Sequence, residues 1–230
     1  MNDTCWGLAV AGALAVTGAS SGPGGHASPP LASQEPPAPV ELALPQGDGS
    51  PVITDGIFSP GEWDDAGRVP LSDSVELRLK QHRGVVFVGL HALGSASIGP
   101  SELCLASPGG SVHKLHVSFQ LGEIIVPPTG EPPPFRFGYT PDWYANEFRR
   151  DVDEAERLQK QGKSPLEIIR ATSYPSDGIE FAIRRSKLPG SRWPVRLWVS
   201  VAVGGQPGSL THPPGTTERS TDGWQALRLD

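Results

Sequence analysis

Cysteine and methionine are almost absent from this 230-residue sequence. Its two cysteines are Cys5 and Cys104, and Met1 is its single methionine. Cys5 lies in an apolar N-terminal stretch that we expect to be removed, so the remaining domain has one thiol and no internal disulfide. Cys104 stands in the alternating stretch ELCLAS without a neighbouring histidine or glycine-rich turn. This setting indicates a buried structural thiol rather than a nucleophile, and the fold must be stabilised by its apolar core.

The sequence also lacks an excess of positive charge. Lys and Arg number 19 and Asp and Glu 25, which gives a formal net charge of -6, and the basic residues are scattered along the chain. Proteins that bind nucleic acid carry a basic patch or stripe, so a nucleic-acid partner is not expected.

Motifs for catalysis are missing as well. The sequence has no Gly-x-Ser-x-Gly elbow, no phosphate-binding glycine loop and no His-Glu-x-x-His helix. Glu62 and Asp64 are too close in sequence to be glycosidase carboxyls, which face each other across a substrate. We therefore expect a protein that is not an enzyme.

Metal and cofactor motifs are equally scarce. His113 and His116 form a His-x-x-His pair, but residues three apart on a strand point to opposite faces and cannot share a zinc ion. No cofactor is expected. A structural calcium stays open as an alternative, because five aspartates could lend oxygens, although they lack calcium-loop spacing. These are Asp48, Asp55, Asp64, Asp65 and Asp73.

One long apolar run occurs, at residues 5–19. It is shorter than a membrane span and typical of a signal peptide, although the preceding MNDT has no basic residue. An uncleaved N-terminal anchor at 1–19 and a different start codon therefore stay open. Residues 20–49 are rich in Pro, Gly and Ser and predict a disordered spacer, because they bury too little apolar surface to offset ordering. We expect a secreted or cell-envelope protein whose folded domain spans 50–230.

Glycine and proline are abundant, with 28 and 25 residues, and turns separate short alternating runs after residue 49. In residues 74–80, Val75, Leu77 and Leu79 share one side, and the more apolar run at 84–93 predicts a central strand of the same hairpin. Further strands are predicted at 112–121, 178–183, 194–203 and 224–229. In the first of these we expect Leu115, Val117, Phe119 and Leu121 to point inward. About half a dozen such strands predict an all-β fold, an antiparallel, jelly-roll-like β-sandwich.

The strand pattern has a helical interruption. Residues 142–162 repeat apolar side chains every three to four positions, and Gly162 is a suitable stop. The stretch SPLE at 164–167 is a capping box that opens a second helix through Ala171. We therefore expect a short helical insertion at about 142–171 between strands of the sandwich.

A short motif opens the predicted domain: Asp55-Gly56, then Gly61-Glu62-Trp63, then Ala66, followed by the first hairpin. Together with GIEFAIRRSKLPG at 178–190, this order resembles the family 9 carbohydrate-binding modules, although the helical insertion departs from that pattern. The resemblance implies a β-sandwich that binds a saccharide without catalysis. From the residues themselves, the glycines allow tight turns, and Trp63 is predicted to plug an open end of the sandwich.

DOMON-like domains are a related class of β-sandwich. Their resemblance implies a fold that can hold haem through Met and His ligands. Since Met1 is the single methionine, a haem with a methionine ligand is not expected, while a site with two histidine ligands stays open.

The candidate ligand-binding residues follow from the strand alternation. Trp198 is predicted to point outward beside Arg196, because Val195, Leu197 and Val199 take the inner face. A second outward row contains Lys114, His116 and Gln120. Aromatic faces with polar neighbours suit saccharides, so we expect an exported, non-catalytic domain that binds a saccharide or cell-envelope glycan. The alternative is a structural or protein-interaction domain at the cell surface without a sugar site, whose helical insertion covers Trp198 and contacts a protein partner.

Overall fold

The computed structural model describes residues 41–47, 51–138, 140–146, 152–172 and 176–229. The leader predicted at 1–19 lies outside these residues. The described residues form thirteen strands, two α-helices and a short 3-10 helix at Arg185–Lys187. The strands are β1 (Glu41–Ala43), β2 (Gly67–Ser72), β3 (Val75–His82), β4 (Val85–Ala92), β5 (Ala96–Ala106), β6 (Val112–Val117), β7 (Leu121–Val126), β8 (Arg136–Phe137), β9 (Trp143–Ala145), β10 (Gly178–Arg184), β11 (Arg192–Val203), β12 (Gln206–His212) and β13 (Gln225–Arg228).

The strands form two sheets that pack together. The eight-stranded sheet has the order β1-β13-β11-β5-β6-β7-β8, with β12 also paired to β11, and the five-stranded sheet has the order β2-β3-β4-β10-β9. Among the described strand pairs, β1 and β13 are parallel and the others are antiparallel. The predicted fold class, an all-β sandwich with a short helical insertion, is confirmed.

The core lies between the two sheets and follows the alternation of the strands. Val75, Leu77 and Leu79 of β3 are buried there, as predicted, and β4 lies centrally between β3 and β10. Each fully buried aliphatic side chain contributes about 1.5–3 kcal/mol relative to its exposed state. Burial of this kind over both sheets stabilises the fold, in which Cys104 is a free thiol.

The predicted strand at 112–121 is in fact a hairpin. Leu115, Val117 and Leu121 are buried as predicted, but Phe119 is exposed in the turn between β6 and β7. The Ser118 hydroxyl accepts the backbone N–H of Gln120 at 3.3 Å, and this local bond favours a turn over a continued strand.

The sandwich begins earlier than predicted, so the boundary placed at residue 49 is wrong. Glu41–Ala43 forms β1 beside β13, and Leu42 and Leu44 are buried in the core. The reason is the alternation in residues 40–44, VELAL, which places two leucines on the same face.

The helical insertion is shorter than predicted. Helix α1 spans Val152–Lys160 and α2 spans Pro165–Thr172, while Trp143–Ala145 is strand β9 and pairs with β10. Residues 147–151 lie outside the described residues. The predicted capping box is confirmed, since Ser164 N donates to Glu167 Oε2 at 2.9 Å and Glu167 N to Ser164 Oγ at 3.3 Å. Within the described part of the chain, no helix has the length and apolar character needed to cross a membrane.

Trp63 is buried as predicted, with 1% of its surface exposed, but its predicted location is wrong. It lies on the outer face of the five-stranded sheet, the face that points away from the core, where it packs with Val52 and Phe87. The indole stacks beside Phe58 over Gly89, where a Cβ atom would lie 2.9 Å from both rings. The missing side chain of Gly89 therefore makes room for the indole outside the sandwich rather than at its open end.

The predicted fold motif converges on one buried carboxyl group. Glu180 of β10 accepts hydrogen bonds from Asp55 N, Gly56 N and Trp63 Nε1, at 3.0, 2.9 and 2.8 Å. Burial raises the pKa of Glu180 to about 7, against the effect of these three donors. Glu62 closes the loop by accepting Ser59 N at 3.2 Å. Residues 51–66 are thus a cover fastened to the sheet, and the motif has a structural role.

Candidate functional site

Three strands of the eight-stranded sheet bring Trp198 beside charged residues. Trp198 of β11 lies directly opposite Glu102 of β5, and Glu102 lies opposite His116 of β6. Directly paired residues of neighbouring antiparallel strands share a face. These three residues, called the Trp198 row, therefore lie side by side on the outer face of the sheet.

A second row lies next to the first. Arg196 is paired with Cys104, and Cys104 with Lys114, so these three residues form the Arg196 row. Four of the five predicted ligand-binding residues thus belong to two adjacent rows. Gln120 does not, because it lies in the exposed turn between β6 and β7.

Glu102 is the central residue of the site, and sequence reasoning missed it. Lys114 Nζ lies 2.8 Å from Glu102 Oε2, and His116 Nδ1 lies 3.6 Å from Glu102 Oε1. Burial works to raise the pKa of Glu102, but the hydrogen bonds from His116 and Lys114 outweigh it and lower the pKa. The available signal was the alternation in ELCLAS, which puts Glu102 on the same face as Cys104.

A loop at residues 213–224 covers the other side of the Arg196 row. Glu218 of this loop lies 3.1 Å from Lys114 Nζ and 3.6 Å from Arg196 Nη1. The loop is fastened by Trp224, whose Nε1 donates to Thr217 O at 3.0 Å. Arg196, with 6% of its surface exposed, is therefore buried, and the expectation that it faces a ligand is wrong. Arg196 instead pairs with Glu218, so positive and negative side chains alternate across this face of the sheet.

Cys104 is buried beneath the same loop, beside Ala106, Val112 and Trp224. Burial raises the pKa of its thiol to about 12, and the carboxylate of Glu218 adds to the effect. The expectation of a buried structural thiol is confirmed by this position.

We expect Cys104 to resist thiol reagents in the folded protein. In a Cys5→Ser variant, modification by Ellman's reagent should be at least about a hundredfold slower in buffer than in denaturant, because both the reagent and the thiolate are excluded from the site. Absorbance of the released thiolate measures both rates. Equal rates would show that the 213–224 loop leaves the thiol open.

Trp198 is half-buried, so part of its surface is exposed. Thr211 of β12 is paired to it on the side away from Glu102. The main packing of the two helices, among the described residues, is against each other. The Trp198 row is thus an accessible strip of one aromatic ring, one carboxylate and one imidazole.

The structure places the two histidines on opposite faces, as predicted. His113 contacts Glu123 at 3.0 Å on the inner side, whereas His116 contacts Glu102 on the outer side. No group of three or more His, Cys, Asp or Glu side chains in the described ranges is arranged to hold a metal ion. Asp48 lies outside those ranges, Asp55 accepts Ile57 N, and Asp65 pairs with Lys80.

The chain matches no family model, no curated protein and no solved structure. The class that the fold defines is an antiparallel β-sandwich with a helical insertion.

Proposed function

We propose that the outer face of the eight-stranded sheet binds a saccharide without catalysis. The observation that carries this proposal is the position of the half-buried Trp198 directly beside Glu102. A pyranose ring has an apolar C–H face and polar edges, so an aromatic ring next to charged hydrogen-bonding groups matches both. Export of the protein, proposed from the apolar N-terminal run, would bring this face to extracellular or cell-envelope glycans.

The polar residues of the site, Glu102 and His116, can form hydrogen bonds with the hydroxyl groups of a sugar. A carboxylate has about four acceptor positions, so Glu102 can pair with Lys114 and still accept hydrogen bonds from hydroxyl groups. His116, with part of its side chain exposed, adds a ring nitrogen on the same strip. The fixed salt bridges keep these groups oriented before a ligand arrives, which reduces the entropic cost of binding.

The charges on this face favour a neutral ligand. Arg196 and Lys114 are balanced by Glu102 and Glu218 through ion pairs. A polyanion would meet two carboxylates, Glu102 and Glu218, without a surplus of cations. We therefore place neutral glycans ahead of acidic ones as ligands.

The same contacts favour binding over hydrolysis. A glycosidase needs a carboxylic acid with a raised pKa facing a second carboxylate. The pKa of Glu102 is lowered, and Glu102 and Glu218 both pair with the same Lys114 rather than facing an open gap. The face is suited to hold a sugar, and Glu102, with its lowered pKa, is unsuited to act as the general acid.

The expected result of a Trp198→Ala substitution is a loss of glycan affinity of at least about tenfold, which is 1.4 kcal/mol or more. The experiment is isothermal titration calorimetry against a panel of soluble neutral oligosaccharides. Val203→Ala is the matched control, because Val203 is an exposed residue of the same strand outside both rows. Equal affinities of the Trp198 variant and the unsubstituted protein for a bound glycan would show that Trp198 does not belong to the binding site.

A further inference from the structure

The Trp198 row continues across two more strands to an exposed aromatic residue. His116 is paired with Gly122 of β7, and Gly122 is paired with Phe137 of β8. The row therefore runs from Trp198 through Glu102, His116 and Gly122 to Phe137 on a single face. Phe137 has 64% of its surface exposed, which is unusual for a phenylalanine at a defined strand position.

Gly122 is the residue that allows a second aromatic platform at this end. A Cβ atom on Gly122 would lie 2.1 Å from the ring of Phe135, so only glycine lets that ring lie on the strand. Phe135 meets His116 edge-on, with ring centroids 5.6 Å apart, and lies 4.9 Å from the Phe137 ring. Phe135 thus contacts both His116 and Phe137, and it links Phe137 to the polar middle of the row.

The two aromatic ends are separated by four strand spacings. With neighbouring strands about 4.8 Å apart, Trp198 and Phe137 are about 19 Å apart along the sheet. A linear chain of about four pyranose rings covers this distance, because the advance from one linked ring to the next is close to the strand spacing of about 4.8 Å. A disaccharide stacked on Trp198 is too short to reach Phe137.

We propose that this face is an extended site for a single linear glycan chain of about four or more rings, with Trp198 and Phe137 as its end platforms. Glu102 and His116 contact the middle of the chain. This inference rests on the proposed function, and it adds the length and form of the ligand. It also assigns Phe137 and Phe135 to a second subsite, which the strand pattern alone did not indicate.

The twist of the sheet further restricts the ligand. With the usual twist of roughly 20–25° between neighbouring strands, a sheet turns by about 80–100° over four strand spacings. A flat crystalline surface does not fit both ends of a face with this twist. The site is therefore suited to a free, soluble chain that can follow the twist.

The test is a chain-length series for three proteins: the unsubstituted chain, Trp198→Ala and Phe137→Ala. The probes are β-1,4-linked gluco-, xylo- and manno-oligosaccharides of one to six rings, titrated by calorimetry. We expect Trp198→Ala to weaken binding at every length. Phe137→Ala should weaken binding of oligosaccharides of four to six rings about fivefold or more, and it should leave the affinity for one and two rings unchanged. Phe137→Tyr should restore the affinity for the longer chains.

The outcomes separate this inference from the proposed function. If the unsubstituted protein binds a probe series with the same affinity from two rings to six, or if Phe137→Ala weakens short and long chains equally, the extended site is wrong and the Trp198 site stands. If no probe and no glycan of the wider panel binds the unsubstituted protein, the proposed function fails and the extended site fails with it. Since Phe137 is exposed, its substitution should leave the thermal unfolding midpoint unchanged.

Discussion

Replacing Trp63 with alanine should lower the free energy of unfolding by about 3–5 kcal/mol. The indole is 1% exposed, packs with Phe58 and Phe87 on the five-stranded sheet, and donates its N–H to Glu180 at 2.8 Å. Its removal leaves a cavity above Gly89 and takes one of three donors away from a buried carboxyl group. Urea denaturation followed by far-ultraviolet circular dichroism measures the loss.

Two variants separate packing from hydrogen bonding in this prediction. Trp63→Phe keeps most of the apolar contact and loses the N–H, so its loss should be smaller than that of Trp63→Ala. Val203→Ala removes an exposed side chain from the other sheet and should change stability by less than about 0.5 kcal/mol. A loss below about 1 kcal/mol for Trp63→Ala would mean that the cover at 51–66 is not fastened to the sheet.

The second large effect is expected at Glu123, which connects the two sheets. Its carboxylate accepts hydrogen bonds from His113 Nδ1, Lys187 Nζ and Trp143 Nε1 at 3.0, 2.8 and 2.9 Å. His113 and Glu123 belong to the eight-stranded sheet, Trp143 belongs to the five-stranded sheet, and Lys187 lies in the 3-10 helix after β10. Burial works to raise the pKa of Glu123, but these donors outweigh it and lower the pKa to about 2.

Glu123→Ala should cost about 3–5 kcal/mol of stability at neutral pH, because it leaves the Lys187 ammonium group, on a side chain that is 5% exposed, without its anion. The loss should depend on pH. A carboxylate whose pKa falls from 4.5 to about 2 on folding contributes stability that is complete above pH 4.5 and disappears as the pH falls toward 2. Denaturation curves of both proteins between pH 7 and pH 2 measure this difference.

The control for Glu123 is the double variant Glu123→Ala with Lys187→Met, which removes both charges of this ion pair. It should be more stable than Glu123→Ala alone, because no unpaired ammonium group remains. Parallel pH profiles of the unsubstituted protein and Glu123→Ala would contradict the assigned role of this carboxylate.

Side-chain alternation was sufficient to predict the sandwich, but it failed where glycine and proline interrupt a strand. Strand β12 reads QPGSLTH and the first half of β5 contains Gly99-Pro100, so neither stretch shows a clear period of two. Their strand geometry is imposed by pairing with long neighbours such as β11. The sequence pattern places Trp143–Ala145 in the predicted helix, because three residues cannot distinguish a short edge strand from the first turn of an amphipathic helix.

The candidate site could be predicted only in part. The outward direction of Trp198, Lys114 and His116 follows from alternation within each strand, and the structure brings them to one face. Which residues lie opposite one another depends on strand register, and this register places Glu102 and Phe137 in the Trp198 row. The burial of Arg196 depends on the loop at 213–224, whose path the sequence does not reveal.

The central claim, that the outer face of the eight-stranded sheet holds the ligand, is tested most directly by mapping a bound oligosaccharide with NMR. In a titration of the ¹⁵N-labelled protein with a soluble hexasaccharide, shifts should concentrate at the Trp198 indole N–H and at the amides of Glu102, His116 and Phe137. Shifts concentrated on α1, α2 or the 51–66 cover, with the Trp198 indole unchanged, would contradict the claim.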